Sequence, residues 1–268
     1  MKLYRAKQDV LCDVFSDNLP SSTCPASWSL LQRKILARSL TYSAIQTVLV
    51  SAWFHSELCI FGVDAAHMKH RKYNGVQIVL IARDGNLRNR IAAVARVPVE
   101  DHANYFWFSD VVLSRGFPLR DVPAFSDRHA GIISATTKLR VFNMFCTRHI
   151  IGNMRADKQV KLAVAQDGFV WRAQAAQTAR EYYAALADLR VANASAATYL
   201  GAIPAANWAL HPHYLTTPLF GWRTTNFVES EQARALRLKP RLMLPYEFFR
   251  AYANIMMNGG YTRQTYLR

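Results

Sequence analysis

Three short apolar runs follow one another between residues 57 and 99, and each is rich in strand-forming residues. They are 57–64 (ELCIFGVD), 76–83 (VQIVLIAR) and 91–99 (IAAVARVPV). Asp84-Gly85-Asn86, between the second and third runs, is typical of a turn. This feature predicts three consecutive strands with hairpin connections, which excludes a plain alternation of parallel βαβ units.

The next segments alternate between helix and strand. Asp101 lies near the start of an aromatic-rich helical segment, and Asp127 directly follows a short apolar run. The predicted elements are a helix at 101–115, a strand at 122–126, a helix at 129–138 and a strand at 141–145. The order βββαβαβ predicts an α/β fold with a mixed sheet.

Helical periodicity dominates on both sides of this sheet. One or two packed helices are predicted over 29–54, and residues 153–210 are predicted to be helical. Within the latter, the Ala-rich stretch 173–190 is expected to place Tyr183 and Leu186 on one face. Two later helices are predicted at 226–238 and around 246–256.

These patterns divide the chain into four regions. They are an N-terminal lead-in with helices (1–54), a mixed-sheet core (55–156), a helical insertion (157–222), and a final helix with a basic C-terminal segment (223–268).

The charge balance favours a polyanionic partner. Lys and Arg number 33 against 18 acids, which gives a net charge of +15. Nucleic acid fits this field best, because neutralising phosphates is the main sequence-independent source of affinity. A basic protein from a basic proteome is the alternative that charge alone leaves open. The apolar fraction of 51% excludes a disordered chain.

The cysteines and the apolar runs indicate an intracellular protein. Four scattered cysteines form no CxxC pair, so a disulfide scaffold is not expected. The N-terminus lacks the apolar run of a signal peptide. The apolar stretch 42–54 is too short and too polar to span a bilayer, so no membrane partner is expected.

Two aspartates stand at the ends of predicted strands. Asp64 and Asp127 each close an apolar run, where an acid is costly unless a cation or hydrogen-bond donors satisfy it. Hard Mg²⁺ or Mn²⁺ prefers carboxylate oxygens, and two such ions about 4 Å apart can promote phosphodiester cleavage. The alternative is that both residues merely cap turns, and spacing alone favours that alternative.

The segments around these acids carry a resemblance to a known family, in the same order along the chain. They are Gly62-Val-Asp64-Ala-Ala-His-Met-Lys69, Tyr73-Asn-Gly75, Asp84-Gly-Asn86, Ala92-Ala-Val-Ala95, Trp107-Phe108, Phe125-Ser-Asp127-Arg128, Cys146-Thr-Arg-His149, Trp208-Ala209 and Thr225-Asn226-Phe-Val-Glu229-Ser230. Together they resemble the catalytic domain of Mutator-like (MULE) transposases over roughly residues 35–240.

The resemblance implies an RNase H-like fold with a helical insertion before the last catalytic helix. It implies that Asp64, Asp127 and Glu229 form a DDE triad that binds two Mg²⁺ or Mn²⁺ ions. It also implies double-stranded DNA as substrate, a homodimer or higher oligomer, and a nuclear location if the protein is eukaryotic. Glu231 is the nearest competitor of Glu229, but two residues along a helix it should point elsewhere.

This chain departs from the family pattern at two places. Ala65-Ala66 stands where a Gly-Thr pair is common, and Glu231-Gln232 follows Ser230 where an Asn is usual.

Six further residues are candidates for supporting roles. Cys146 and His149 are expected to pack and hydrogen-bond near the active site; the alternative is a zinc site completed by His211 and His213. The residues proposed to contact DNA phosphate are Lys69, Arg71, Lys72 and Arg128. For the first three, a solvated basic turn is an equally good interpretation.

Three functions remain in competition. The first is a transposase core that cleaves phosphodiesters and transfers strands. The second is a domesticated, non-catalytic DNA-binding or transcription-regulatory protein derived from such a core. The third is another RNase H-like nuclease, which the long helical interval between Asp127 and Glu229 disfavours.

Overall fold

A six-stranded mixed sheet organises the part of the chain that this computed structural model describes, residues 47–50, 58–71, 75–86 and 88–266. Its strands are β1 (Thr47–Val50), β2 (Leu58–His67), β3 (Val76–Asp84), β4 (Asn89–Val97), β5 (Ala124–Ser126) and β6 (Asn143–Phe145).

Eight α-helices surround the sheet within these described residues. They are α1 (His102–Ser114), α2 (Ala130–Leu139), α3 (Thr147–Ala156), α4 (Asp167–Ala175), α5 (Ala179–Ala192), α6 (Ala194–Gly201), α7 (Asn226–Leu236) and α8 (Pro245–Tyr266). No helix of the described part is long and apolar enough to cross a membrane.

The strand order across the sheet is β1-β4-β3-β2-β5-β6. The strands β2, β3 and β4 form an antiparallel meander, and β5 and β6 add parallel to β2. Asp84 fixes the β3–β4 turn, since its Oδ1 accepts hydrogen bonds from the backbone N–H groups of Asn86 and Arg88, both at 3.0 Å. An antiparallel meander extended by two parallel strands is a mixed sheet, so the expected α/β fold class is confirmed.

The N-terminal prediction of helices over 29–54 is wrong at Thr47–Val50. These residues form β1, which pairs antiparallel with β4 at the edge of the sheet. Three of the four residues (Thr47, Val48 and Val50) are β-branched, and the exposed edge of β4 offers them backbone partners. The sheet core therefore begins before residue 55. Residues 1–46 lie outside the described part of the chain.

The two faces of the sheet bury separate cores. One face packs against α1 and α2, with Ile78, Leu80, Tyr105, Phe108 and Ile132 among the buried side chains. The other packs against α7 and α8, with Val79, Ile81, Val228, Phe248 and Tyr252 among them. Burying each such side chain contributes about 1.5–3 kcal/mol relative to leaving it in water. The sheet is thereby a rigid frame for the residues at its strand ends.

The helical insertion has a core of its own, built from α4, α5 and α6 around the buried Trp208. The predicted helical stretch 173–190 is interrupted, because Thr178 caps α5 in a capping box with Glu181. Of the two residues expected to share a face, Leu186 is buried and Tyr183 is exposed. Tyr182 is 3% exposed and packs with Leu186, whereas Tyr183 is 66% exposed.

Candidate active site

Asp64 lies within β2, on the face of the sheet that α7 covers. The expectation that it closes the strand is wrong, because pairing with β3 continues to His67. Its neighbour Val63 belongs to the opposite core, and Gly62, two residues before Asp64, lies directly beneath Phe227 and Val228 of α7. Because side chains alternate along a strand, Gly62 and Asp64 share a face. The geometry therefore directs the Asp64 carboxylate toward α7.

Asp127 is brought beside Asp64 by parallel pairing. Phe61 pairs with Ala124 and Gly62 with Phe125, so extending this register places Asp127 level with Asp64. The backbone N–H of His129 donates to Asp127 Oδ1 at 3.1 Å. This bond holds the carboxylate in the turn between β5 and α2.

Glu229 enters from the first turn of α7, which packs closely on β2. A Cβ atom at Gly62 would lie 2.3 Å from Val228 Cγ2 and 2.7 Å from Phe227 Cζ, so no larger residue fits beneath the helix without movement. Glu231 is buried elsewhere and ion-pairs with Arg234. Of the two glutamates, it is Glu229 whose charge acts on Asp64.

The electrostatics of Asp64 reflect this gathering of acids. Burial is the main reason that the pKa of Asp64 is raised from 3.8 to about 6. A hydrogen bond from the Ala65 backbone and the charge of His149 lower this pKa, while the charges of Asp127 and Glu229 raise it. The charges of the other two predicted acids therefore act on Asp64, as a lesser contribution beside burial.

The donor set suits a hard divalent cation. Carboxylate oxygens are the ligands that Mg²⁺ and Mn²⁺ prefer. The arrangement is not closed around a metal position, since no three His, Cys, Asp or Glu side chains within the described ranges are placed to hold an ion together. Glu229 is engaged by Arg148.

Arg148 was not anticipated from the sequence. Its Nη1 donates to Asn226 Oδ1 at 2.6 Å and lies 3.4 Å from Glu229 Oε2. It occupies the second position of α3, whereas Asn226 and Glu229 lie in the first turn of α7. A contact between segments so distant in sequence leaves no local signal.

Cys146 and His149 form a hydrogen-bonded pair beside the acids. The buried Cys146 Sγ accepts the backbone N–H of Thr225 at 3.3 Å, which ties the start of α3 to the start of α7. Burial raises the pKa of Cys146, but hydrogen bonds from His149 and Thr225 outweigh it, and the net pKa is lowered. The bond to Cys146 raises the pKa of His149 against the effect of burial, and Asp127 and Asp64 raise it further.

The two histidines of the zinc alternative have other surroundings. The His211 ring lies 4.8 Å from that of Tyr182, and His213 Nε2 lies 2.7 Å from the carbonyl oxygen of Ala206. The structure does not bring them together with Cys146 and His149 as metal ligands among the residues it describes.

The basic residues proposed to contact DNA have different environments. Lys69 and Arg71 are exposed after β2, and the Lys69 N–H donates to the Arg241 carbonyl oxygen at 2.8 Å. Lys72 lies outside the described residues. Arg128 is half-buried, and its Nη1 donates to the Tyr199 hydroxyl at 2.9 Å. That bond links the Asp127 turn to α6 of the insertion.

Removing the Tyr199 hydroxyl should loosen this link. In Tyr199→Phe, Arg128 loses an acceptor in a half-buried setting, and we expect the free energy of unfolding to fall by about 1.5–3 kcal/mol. Urea unfolding followed by circular dichroism measures the change. Tyr183→Phe is the matched control, because Tyr183 is exposed and should change stability by less than about 0.5 kcal/mol. Equal effects of the two substitutions would contradict the link.

A second feature not anticipated from the sequence is a polar pair behind Asp127. The Tyr105 hydroxyl donates to Glu100 Oε1 at 2.8 Å. Burial and the bond to Glu100 raise the pKa of Tyr105, and the charges of Asp127 and Asp64 add to the increase. Tyr105 therefore stays protonated and keeps donating to Glu100.

Comparisons with known proteins give one structural finding. No family model and no curated protein matches the chain. Twelve chains of solved structures match. One is the HTLV-2 integrase catalytic core domain in complex with magnesium, in its dimeric form. It is 13% identical, with a TM-score of 0.26, and the match covers 46% of this chain and 90% of that one. What this chain does must be inferred from the geometry of its own site.

Proposed function

We propose that this protein is the catalytic core of a DNA transposase of the Mutator-like kind, which cleaves phosphodiesters and transfers strands with divalent metal ions. One observation carries the proposal. Asp64, Asp127 and Glu229 come from three distant segments, yet the extended β2–β5 register sets Asp127 level with Asp64, and the charges of Asp127 and Glu229 both add to the increase that burial causes in the pKa of Asp64. Structural capping of turns gives no reason for that convergence.

Asp64, Asp127 and Glu229 are the residues that would hold two Mg²⁺ or Mn²⁺ ions. When bound, such ions supply activation of the attacking oxygen and charge stabilisation of the leaving oxygen. The chain's own contribution is to position the carboxylates. The sheet fixes Asp64 and Asp127. The close packing of α7 on Gly62 sets how near Glu229 comes to β2.

The charge of the chain supports DNA as the substrate. The net charge of +15 supplies the counterion-release term of DNA affinity, and Lys69 and Arg71 are exposed in the loop that follows β2. We further propose pairing of two element ends by a dimer or higher oligomer. The corresponding place of action is the nucleus in a eukaryotic cell, or otherwise wherever intracellular DNA is accessible.

A non-catalytic DNA-binding protein derived from such a core is the second candidate. Two observations favour it: Arg148 pairs with Glu229, and no three potential ligands of the described region are placed to hold a metal ion together. This candidate requires DNA binding and no phosphodiester chemistry.

A nicking and joining assay separates the two candidates. With Mn²⁺ and supercoiled plasmid, we expect the wild-type protein to nick and join DNA. We expect Asp127→Asn to lose roughly a thousandfold in rate while still binding DNA, because carboxylate-held metal supplies several kcal/mol of transition-state stabilisation. The matched control is Asp110→Asn, an exposed aspartate on α1. If wild type and Asp127→Asn bind DNA equally and neither cleaves it with Mn²⁺, the second candidate is established instead.

A further inference from the structure

Hydrogen bonds of the neighbouring residues fix the backbone position of Arg148. The Thr147 N–H donates to the Arg223 carbonyl oxygen at 2.9 Å, and the Thr225 N–H donates to Cys146 Sγ at 3.3 Å. These two bonds join the start of α3 to the segment that leads into α7. The backbone of Arg148 is therefore held beside the acids, while its long side chain can change partners.

The contact between Arg148 and Glu229 is of a kind that can exchange. The two side chains are 53% and 43% exposed, and their closest atoms are 3.4 Å apart. An ion pair as exposed as this contributes little to stability, because water screens it. The 2.6 Å bond from Arg148 Nη1 to Asn226 Oδ1 keeps the guanidinium at the mouth of the site when Glu229 is released.

Charge gives this exchange a direction. Arg148 partly offsets the charge of Glu229, one of three acids that repel each other. A divalent cation at these acids would take over that role and compete with Arg148 for Glu229. A guanidinium released in this way is a strong ligand for a phosphodiester, which it binds through two parallel N–H donors.

We propose that Arg148 is an exchanging phosphate ligand, which pairs with Glu229 in the free protein and transfers to a DNA phosphodiester when divalent cations bind the acids. This inference rests on the proposed function, since it needs both the cation and the DNA. It assigns Arg148 two opposite effects. The residue weakens cation binding without DNA and strengthens DNA binding once the cation is present.

The test measures both effects on the full chain with Ca²⁺, which allows binding to be followed apart from cleavage. In isothermal titration calorimetry without DNA, we expect Arg148→Gln to bind Ca²⁺ about two- to fivefold more tightly than wild type. In fluorescence anisotropy with labelled duplex DNA and Ca²⁺, we expect it to bind about tenfold more weakly, with a salt slope reduced by about 1. Arg148→Lys keeps the charge, so its Ca²⁺ affinity and its DNA affinity should lie between those of wild type and Arg148→Gln.

Two further variants identify the partner of Arg148. In a Glu229→Gln background, Arg148→Gln should give no gain in Ca²⁺ affinity, because the competition acts through Glu229. Arg180→Gln removes the same charge from an exposed position on α5 and should leave Ca²⁺ affinity unchanged.

Each result has a definite meaning. Unchanged or weaker Ca²⁺ binding by Arg148→Gln overturns the exchange, and so does unchanged DNA affinity, even where wild type binds Ca²⁺ and nicks DNA with Mn²⁺. If wild type binds no divalent cation and cleaves no DNA, the proposed function fails, and the exchange fails with it. Circular dichroism of each variant excludes loss of folding as the cause.

Discussion

Replacing Asp64 by Asn is expected to make the protein more stable at pH 8 while abolishing its metal-dependent activity. Burial and the neighbouring acids raise the pKa of Asp64 to about 6, so the ionised carboxylate costs folding energy above that pH. A change from 3.8 to about 6 corresponds to up to about 3 kcal/mol in the free energy of unfolding. Asn removes the charge and keeps an oxygen that can accept the Ala65 backbone hydrogen bond.

The pH dependence of this effect follows from the direction of the shift. A raised pKa means that the folded protein holds the proton more tightly than the unfolded chain does. Its contribution to stability is complete below about pH 4 and is lost as the pH rises through 6. The stability difference between Asp64→Asn and wild type should therefore be near zero at pH 4, grow to pH 6 and then level off.

Urea unfolding of both proteins from pH 4 to pH 8 measures this difference, and plasmid nicking with Mn²⁺ at pH 8 measures the activity. Asp110→Asn serves as the control, because that aspartate is exposed on α1. Loss of stability in Asp64→Asn at pH 8 would show that this carboxylate is a structural anchor instead of part of a metal site. Catalytic acids that oppose folding are the expected cost of a preorganised charged site.

Adding one methyl group at Gly62 is expected to disrupt the packing of α7 on β2 and thereby the position of Glu229. In Gly62→Ala the new Cβ would lie 2.3 Å from Val228 Cγ2 and 2.7 Å from Phe227 Cζ, so these side chains of α7 must shift, and we expect the helix to move with them. Overpacking of this kind destabilises by about 1–3 kcal/mol. Because Glu229 lies on the same helix turn, the shift should also carry its carboxylate away from Asp64 and lower the nicking rate.

Gly152→Ala is the matched control for this substitution. Gly152 lies within α3 and has nothing within 4 Å of an added Cβ, so alanine should stabilise the protein by about 0.5–1 kcal/mol through its helix propensity. Thermal and urea unfolding should thus give opposite signs for the same chemical change. A stabilising Gly62→Ala substitution would refute the close approach of α7 to β2.

The elements predicted correctly are those with strong local signals. The Asp84-Gly85-Asn86 turn predicts the β3–β4 hairpin, and in the structure Asp84 accepts two backbone bonds there. Asp101 predicts the start of α1, and its side chain accepts the Asn104 N–H at 2.9 Å. Local hydrogen bonding and side-chain periodicity suffice in such cases, because the partners lie only a few residues apart.

The errors arise where local and tertiary preferences compete. The apolar spacing before residue 50 is compatible with a helix, but pairing with β4 decides that Thr47–Val50 is a strand. The burial of Tyr182 has a local cause. Thr178 and Glu181 form a capping box, and starting the helix there brings Tyr182 to the buried face.

The sequence by itself determined the mixed sheet and the place of Asp127 directly after a strand, because apolar runs and turns are local features. It did not determine the end of β2, which pairing with β3 carries past Asp64 to His67. Tertiary structure decided how the acids meet. The parallel register of β2 with β5 aligns the two aspartates, and the absence of a side chain at Gly62 lets α7 bring Glu229 close. It also placed Arg148 on Glu229. Such contacts depend on packing between segments distant in sequence, and no periodicity or spacing within one segment specifies them.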